Sequence, residues 1–376
     1  MGVIQNNGTV QSWKGIPSAV FECGQHYHRP YRCVQFTLAP YGVHNAYLGP
    51  GSPGTEDCLK LFVWKPARAR QNAKLPVMGG GLVFGDGLQD EYGDWVGHDQ
   101  KFIAVNMNYR LGMLGFMNHP DLPSANAGLL DQRMAMRWVK QNIAAFGGDP
   151  DNITIISQSG GGWAIAAQLG LYDGQANGTF QRAIARSIQR EPLFTTKELM
   201  LRNTVLSEQL NCTSADQLAC FRSVSVPDLV DIFQNMSIAN GTECNPFIQK
   251  WKKQPTYLRL LDVTNRITNL TDAEVYEVAS FYPVSAGYGA VTPDNFFLDV
   301  FKSYWMALGF FAVRASFNGS YPLAPVTHSS ENTYLNYPLS TMTDYERVVA
   351  VEFRAYLSSF IRTGNPNTHK VATAPH

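Results

Sequence analysis

The sequence has no excess of charge and no long apolar run. Lysine plus arginine and aspartate plus glutamate each number 30 in the 376 residues, so the formal net charge is zero. Such a balance provides no electrostatic attraction to nucleic acid or to an anionic membrane surface. Residues 305–313 form about the longest apolar stretch, well short of the roughly 20 residues that a membrane-spanning helix needs. We therefore predict no nucleic-acid partner and no membrane span.

The common signatures of metal, redox and nucleotide sites are also missing. None of the six cysteines forms a C-x-x-C pair, which argues against zinc and dithiol motifs. His26 and His28 have no acidic or cysteine partner at ligand spacing, so we predict a solvated loop there rather than a metal site. The glycine triplet at residues 79–81 is not followed by Gly-Lys-Ser/Thr, which excludes a nucleotide P-loop. We therefore expect no metal and no organic cofactor.

The cysteines and the glycosylation motifs that are present indicate an extracytoplasmic protein. The N-x-S/T acceptor pattern is dense and occurs at Asn7, Asn152, Asn177, Asn211, Asn235, Asn240, Asn269 and Asn318. Asn152 leads into a predicted buried strand and is not expected to be usable. Cys212 and Cys220 bracket a short loop and are expected to pair. Residues 1–6 carry no basic or apolar region of a signal peptide. We predict a secreted or extracytoplasmic glycoprotein whose signal peptide is cleaved or absent from this chain.

The pattern with the most chemical content lies at residues 152–163. Residues 153–156 are rich in β-branched types and predict a short buried strand, and residues 163–169 predict a helix. Ser159 lies between them in an S-x-S-x-G pattern, where a tight turn can expose a hydroxyl at a helix N-terminus. The first position of the usual G-x-S-x-G pattern is Ser157 here, and its Cβ is expected to crowd the turn. Taken alone, this motif has low specificity.

The chain before Ser159 predicts a parallel sheet with Ser159 at its functional edge. Residues 101–108 predict a strand, and residues 131–146 predict an amphipathic helix that ends at two glycines. Together with the strand before Ser159 they form a β-α-β unit, so the strands should be parallel and the crossover right-handed. The glycine triplet at residues 79–81 follows the apolar stretch 74–78 and can present backbone N–H groups to an anion. We expect these glycines and Ser159 to meet at the carboxyl ends of the strands.

Four longer strings are more informative than the S-x-S-x-G pattern. They are E-D-C-L at residues 56–59, N-Y-R-L-G-M-L-G-F at 108–116, N-A-G-L-L-D-Q at 126–132 and F-G-G-D-P at 146–150. These strings resemble the type-B carboxylesterase/lipase family, which includes cholinesterases and fungal lipases. Jointly these strings are highly specific, and the matches run from near Gly15 to Asn367. The resemblance implies an α/β-hydrolase fold, with a mostly parallel central sheet flanked by helices, in a chain shorter than is usual in the family. It also implies a serine carboxylic-ester hydrolase.

The resemblance also implies the roles of individual residues. Ser159 corresponds to the nucleophile, and His328, in an H-x-x-E stretch, corresponds to the general base. The N–H groups of Gly80, Gly81 and Gly160 correspond to the oxyanion hole. The implied partner is a small-molecule ester with an apolar character, and no oligomeric state is predicted. Activity should fall as His328 becomes protonated, near pH 6.5 for an ordinary histidine.

The remaining parts of the chain are interpreted in the same framework. We predict a single domain over residues 1–376, with a helical, cap-like insertion at about residues 187–280. A last helix is predicted from Asp344 to about Thr363. Trp163, Phe84 and Trp305 are candidates for an apolar acyl site, although core packing is the expected role of each.

The resemblance further implies covalent and ionic contacts around the first strings. Cys58 should be bonded to Cys23 or Cys33, and Cys212–Cys220 matches a second bridge of the family. One of the acidic residues at 56–57 is expected to form a structural ion pair with Arg110.

The chain departs from the family in ways that keep a second interpretation open. The strand before the glycine triplet is expected to be missing, because residues 75–78 meet Gly79 too early. The acid of the triad has no recognisable motif: Asp262 is the nearest carboxylate by position, and Asp272 and Glu274 are alternatives. Without the acid, catalysis falls by roughly 10⁴-fold in the serine-protease template. The alternative is therefore a catalytically weak or dead homologue, with a binding role or as a truncated gene product.

Overall fold

The computed structural model describes nine stretches of the chain and two single residues. They are residues 2–18, 56–68, 73–79, 87, 92–117, 119–174, 178–186, 196–213, 215–229, 232 and 331–369, with the single residues at 87 and 232. The strands are β1 Val3–Gln5, β2 Val10–Pro17, β3 Lys60–Pro66, β4 Ala73–Gly79, β5 Ala104–Met107, β6 Gly148–Gln158 and β7 Arg182–Arg186. The helices are α1 Gly93–Asp99, α2 Gly112–Phe116, α3 Ala127–Asn142, α4 Gly160–Gly170, α5 Thr196–Gln209, α6 Gln217–Ser223, α7 Asn332–Asn336 and α8 Asp344–Thr363.

The described strands form one sheet in the order β1-β2-β3-β5-β4-β6-β7. The pairs β5–β4, β4–β6 and β6–β7 are parallel, whereas β1–β2, β2–β3 and β3–β5 are antiparallel. The predicted parallel arrangement of the strands on either side of α3 is confirmed, with β4 lying between them. The parallel half of the sheet is the half that carries Ser159.

The expectation that the strand before the glycine triplet is missing is wrong. β4 pairs with β5 through Val77 and Met78, and it pairs with β6 from Leu75 to Gly79. The strand therefore occupies the middle of the parallel half of the sheet. The apolar residues 74–78 correctly indicated a strand, whereas their short distance from Gly79 had suggested that the strand was missing.

The longest of the described helices, α8, begins and ends where local chemistry favours it. α8 begins after Thr343, whose hydroxyl accepts from the Glu346 backbone N–H while the Glu346 carboxylate accepts from the Thr343 backbone, a reciprocal capping box. It ends at Gly364, which has a left-handed φ of 76°. These bounds confirm the predicted last helix. α3 begins at Ala127, four residues before its predicted start, and is followed by a 3₁₀ turn over Ile143–Phe146.

Apolar side chains cover both faces of the sheet. In β3, Leu61 and Val63 belong to a core that includes residues of α3 and α4, whereas Phe62 and Trp64 belong to a second core that includes residues of α1 and α8. This alternation follows from the two-residue period of a strand. The result is a three-layer α/β arrangement of the described elements, in which a rigid sheet supports the loops at its edge.

The described part of the predicted insertion, residues 187–280, is helical. Residues of α5 and α6 share an apolar cluster with residues of α2, including Leu206, Phe221 and Met113. The predicted Cys212–Cys220 disulfide is present, with a Cα–Cα distance of 5.6 Å. Cys58 is also disulfide-bonded, while both cysteines predicted as its partner lie outside the described residues. Within the described residues, no helix combines the length and the apolar character needed to cross a bilayer.

Candidate active site

Ser159 lies at the turn between the end of β6 and the start of α4. Its backbone has φ 59° and ψ −127°, a conformation that a residue with a side chain rarely adopts. Holding a non-glycine residue there costs about 1–3 kcal/mol, and such strain persists only where the surroundings enforce it. This is the sharp strand-to-helix turn that the sequence pattern predicts.

Two backbone hydrogen bonds hold the turn. The Ser159 N–H donates to the carbonyl of Arg186 at 3.1 Å, and the Ser159 carbonyl accepts from the N–H of Trp163 at 3.1 Å. The first bond ties the turn to the end of β7, and the second starts the hydrogen-bonding of α4. Together they explain how the strained residue is kept between two rigid elements.

The N-terminus of α4 supplies backbone donors next to Ser159. Gly160 is the first residue of the helix, and it is buried together with Gly161 and Gly162. The N–H groups of a helix's first turn have no carbonyl partner within that helix, and the helix dipole places partial positive charge there. The arrangement is suited to stabilising negative charge on a group next to the Ser159 side chain.

The helix behind Ser159 is fixed at its other end by a buried arginine of α3. The Arg133 guanidinium donates to the side-chain oxygen of Gln168 at 2.9 Å and to its carbonyl at 2.8 Å. Gln168 in turn donates to the Leu129 carbonyl at 2.8 Å. Burial lowers the pKa of Arg133, with the charge of Arg137 acting in the same direction. These contacts restrict movement of α4 relative to α3, and therefore of the turn that precedes α4.

The end of β4 lies beside the residues that precede Ser159. Gly79 is in parallel register with Ser157, and neighbouring strands lie about 4.8 Å apart. The chain therefore leaves β4 at the same edge of the sheet as the Ser159 turn. The two following glycines, Gly80 and Gly81, lie outside the described residues, and their oxyanion role stays a prediction.

Ser157 is accommodated although it occupies a position where the usual motif has glycine. It is buried in β6, and its register partners on the two neighbouring strands are the small residues Gly79 and Ala185. A cavity of about 30 Å³ lies next to it, between the sheet and α4, and Gly161 and Gln168 also line this cavity. The cavity is far smaller than the 300–1,000 Å³ of small-molecule sites. The cavity leaves open space beside Ser157, but it is too small to be a substrate site.

Arg110 forms its ion pair with Asp131, so the expectation of a pair with an acidic residue at 56–57 is wrong. The guanidinium donates to both carboxylate oxygens at 2.8 and 2.7 Å, and the Arg110 backbone N–H donates to the same carboxylate at 3.1 Å. The hydrogen bonds and charge of Asp131 raise the pKa of Arg110. Asp57 pairs instead with Lys60 at 2.7 Å. The Arg110–Asp131 pair holds the start of α3 against the chain that follows β5.

A buried contact near Ser159 was not foreseen from the sequence. The Arg186 guanidinium donates to the side-chain oxygen of Asn332 at 3.0 Å and lies 3.9 Å from the Glu331 carboxylate. Both ionic side chains are almost fully buried, at 9% and 5% exposure. The sequence does single out Glu331, as the acidic residue of the H-x-x-E string, but nothing in that string identifies Arg186 as its partner.

Of the other residues predicted for the site, Trp163 is described by the structure and the rest lie outside the described residues. Trp163 is half-buried and packs against the core shared with α3 and α4, in agreement with a packing role. The remaining candidates, which lie outside the described residues, are His328, Gly80, Gly81, Asp262, Asp272, Glu274, Phe84 and Trp305.

Comparison with known sequences places the chain in one family. Residues 7–264 match the sequence model of the carboxylesterase family. A secreted lipase of Arthroderma benhamiae is 33% identical over 267 residues, covering 60% of this chain and 45% of that protein. Cholinesterase 1 of Branchiostoma lanceolatum is 34% identical over 192 residues, covering 48% and 53%. The para-nitrobenzyl esterase of Bacillus subtilis is 38% identical over 193 residues, covering 49% and 38%. The chain thus aligns with about half, or less, of the length of these relatives.

Comparison with solved structures supports the fold. A PNB esterase superposes with a TM-score of 0.74 at 23% identity, covering 99% of this chain and 90% of that chain. A carboxylesterase of Geobacillus stearothermophilus superposes with a TM-score of 0.71 at 22% identity, covering 100% and 90%. At this identity the likeness concerns the fold, and it confirms the α/β-hydrolase architecture implied by the sequence strings. With the family match spanning well over half of its residues, the chain belongs to the carboxylesterase family.

Proposed function

We propose that this protein is a serine carboxylic-ester hydrolase that acts through a covalent acyl-enzyme. The observation that carries the proposal is the backbone of Ser159, a non-glycine residue held at φ 59° and ψ −127° between a parallel strand and a helix N-terminus. Backbone strain of this kind lowers the stability of the fold and is typical of functional sites. Here it holds a hydroxyl at the edge of the sheet, where the hydroxyl can attack a substrate.

The reaction begins with attack of the Ser159 Oγ on the ester carbonyl carbon while His328 takes the Oγ proton. The tetrahedral oxyanion is stabilised by the N–H groups of Gly160, Gly80 and Gly81, and one such donor contributes about 3 kcal/mol in related chemistry. Collapse of this intermediate expels the alcohol, which receives the proton from His328. Water then attacks the acyl-enzyme with His328 as base, which releases the carboxylic acid and restores Ser159.

Support for His328 comes from the chain that follows it. Glu331 lies against Arg186, and the carbonyl of Arg186 accepts the Ser159 N–H. His328 is three residues before Glu331, and three residues span at most about 10 Å. A histidine within that distance of a residue linked to the Ser159 turn is consistent with the role of general base. The acid that orients it is proposed among Asp262, Asp272 and Glu274.

The proposed substrate is a small-molecule ester with an apolar part, which agrees with the names of the relatives, lipase, cholinesterase and para-nitrobenzyl esterase. No metal or organic cofactor takes part in the steps above. A cap-like role for the helical segment around α5 and α6 is also proposed, because in the sequence this segment lies between β7, the strand that follows Ser159, and His328.

We also propose that the protein is extracytoplasmic and glycosylated. The relatives from Arthroderma benhamiae and Gibberella zeae are named as secreted lipases. Cys58, Cys212 and Cys220 are disulfide-bonded here, as is usual in oxidising compartments. A glycan on the exposed Asn7 would mark passage through the secretory pathway.

The proposal is tested with p-nitrophenyl acetate and butyrate, using purified wild type and two serine variants. Wild type should hydrolyse both esters, with a pre-steady-state burst of p-nitrophenol when deacylation is slow. Ser159→Ala should abolish both burst and turnover, whereas Ser157→Ala, two residues earlier and also buried, should retain turnover. Folded wild type that hydrolyses neither ester, or a Ser159→Ala variant that keeps wild-type turnover, contradicts the proposal. The first of these outcomes favours the inactive homologue.

A further inference from the structure

Arg186 contacts two segments that the proposed chemistry must keep together. It is the last residue of β7, and its carbonyl accepts the N–H of Ser159 at 3.1 Å. Its guanidinium donates to the Asn332 side chain at 3.0 Å and lies 3.9 Å from the Glu331 carboxylate. One residue therefore joins the Ser159 turn, through its main chain, to the beginning of α7, through its side chain.

The burial of this contact gives it more weight than a surface ion pair. The side chains of Arg186 and Glu331 are 9% and 5% exposed. Buried charges are retained where they are paired and hydrogen-bonded, and removing one partner leaves the other charge in an unfavourable environment. The Arg186 Nη1 donates to the Asn332 amide oxygen and lies 3.9 Å from the Glu331 carboxylate, so the contact with Glu331 is electrostatic.

The far end of α7 is also held by a buried arginine. Arg354 of α8 donates to the carbonyls of Tyr334 and Tyr337 at 2.8 and 2.7 Å, and to the Asp94 carboxylate at 2.8 Å. This contact fixes α7 to α8 and α1. Arg186 supplies the corresponding contact at the N-terminal end of α7, next to the residues that follow His328.

We infer that Arg186 is a positioning residue, which holds the segment downstream of His328 against the Ser159 turn so that imidazole and hydroxyl keep a productive distance. The inference rests on the proposed serine hydrolase function. Arg186 acts through Glu331 and Asn332 and takes no part in bond making or proton transfer. Its substitution should therefore lower the rate of the chemical step and leave substrate affinity nearly unchanged.

A matched control lies on the same strand. Arg182 is four residues before Arg186, so both side chains leave the same face of β7. Arg182 donates to the Asn152 side chain and contacts the carbonyl of Ile361, at the opposite end of the strand from Ser159. Arg182→Met therefore removes a partly buried arginine from β7 without touching the contact at Glu331.

The first readout is the second-order rate constant for labelling by a fluorophosphonate probe, together with kcat and KM for p-nitrophenyl butyrate. Arg186→Met should slow labelling and lower kcat by about 10²-fold, the size of effect that a displacement of about 1 Å produces, with little change in KM. Arg186→Lys should recover part of the rate, because a cation remains near Glu331. Arg182→Met should label like wild type. Equal labelling rates for Arg186→Met and Arg182→Met would overturn the inference.

The second readout does not depend on activity. Amide hydrogen exchange over residues 331–337 should be faster in Arg186→Met than in wild type and in Arg182→Met, because the N-terminal end of α7 loses its anchor. If wild type itself fails to react with the probe, the proposed function is wrong, and exchange alone decides whether Arg186 holds this segment. Unchanged exchange in Arg186→Met refutes that anchoring whether or not the protein is an esterase.

Discussion

The substitution Gly128→Ala tests why two of the family strings contain glycine where they meet. Gly128 is the second residue of α3, and a Cβ built on it would lie 2.6 Å from the Arg110 carbonyl oxygen and 2.6 Å from the Phe116 ring. Real Cβ atoms essentially never approach other atoms within 3.0 Å. The carbonyl has little freedom to move, because the N–H and guanidinium of Arg110 are both bound to Asp131. Gly115 also packs on this carbonyl, and a Cβ built on Gly115 would lie 2.2 Å from its oxygen.

The expected magnitude is a balance of two effects. Replacing a helical glycine by alanine stabilises a helix by up to about 1 kcal/mol, whereas overpacking a rigid contact costs about 1–3 kcal/mol. We expect Gly128→Ala to lower the free energy of unfolding by about 1–2 kcal/mol. The matched control is Gly170→Ala at the end of α4, where a Cβ would meet nothing within 4 Å. This control should leave stability unchanged or raise it.

Urea unfolding followed by tryptophan fluorescence measures both variants against wild type. A lower midpoint for Gly128→Ala with an unchanged slope confirms the loss of stability. Equal midpoints for Gly128→Ala and Gly170→Ala would refute the close packing of α3 against the Arg110 carbonyl, and with it our explanation of the glycines in these strings.

Two further predictions concern alkaline stability and glycosylation. Burial, followed by the charges of Glu346 and Tyr345, raises the pKa of Tyr334 to about 12. The folded state therefore favours the neutral phenol, and this preference contributes about 1–3 kcal/mol to the free energy of unfolding. The contribution is complete below pH 10 and is lost as the pH rises from about 10 to 12. Tyr334→Phe should therefore lose less free energy of unfolding than wild type between pH 9 and 11.5, and parallel curves would contradict this. Asn7 is exposed in the turn between β1 and β2, whereas Asn152 is part of β6 and accepts a hydrogen bond from an arginine. Peptide mapping after secretion from eukaryotic cells should find a glycan on Asn7 and none on Asn152, and the reverse occupancy would be inconsistent with the fold.

Local patterns in the sequence predicted the elements that local chemistry determines. The last helix has its predicted bounds because Thr343 and Gly364 are strong capping residues at its two ends. The parallel relation of β5 and β6 followed from the connecting helix. In contrast, the position of β4 between them depends on which strands pair across the sheet, and that is not a local property.

The long-range side-chain contacts were harder to predict. Arg110 was expected to pair with an acidic residue at 56–57, yet it pairs with Asp131, whose carboxylate α3 brings against it. Arg186 and Glu331 are 145 positions apart in the chain and meet at the end of β7. Such pairs depend on the assembled tertiary structure, so sequence strings can nominate the residues but not the partners.

The sharp turn at Ser159 was predicted from the strand-to-helix pattern, and its backbone angles agree with the strain that such a turn implies. The S-x-S-x-G pattern has low specificity, and only the surrounding strings made Ser159 a strong candidate. The backbone angles of Ser159 and the anchoring of α4 by Arg133 are properties of the assembled structure. The roles of His328 and of the glycines that follow β4 remain predictions from the sequence.

The account depends most directly on which atom becomes covalently modified. We would treat folded wild type with a stoichiometric amount of an alkyl fluorophosphonate and map the adduct by peptide mass spectrometry. The account predicts a single adduct on the Oγ of Ser159, formed slowly or not at all in His328→Ala. An adduct on another residue, or intact protein without an adduct, would contradict the assignment of Ser159 as the nucleophile.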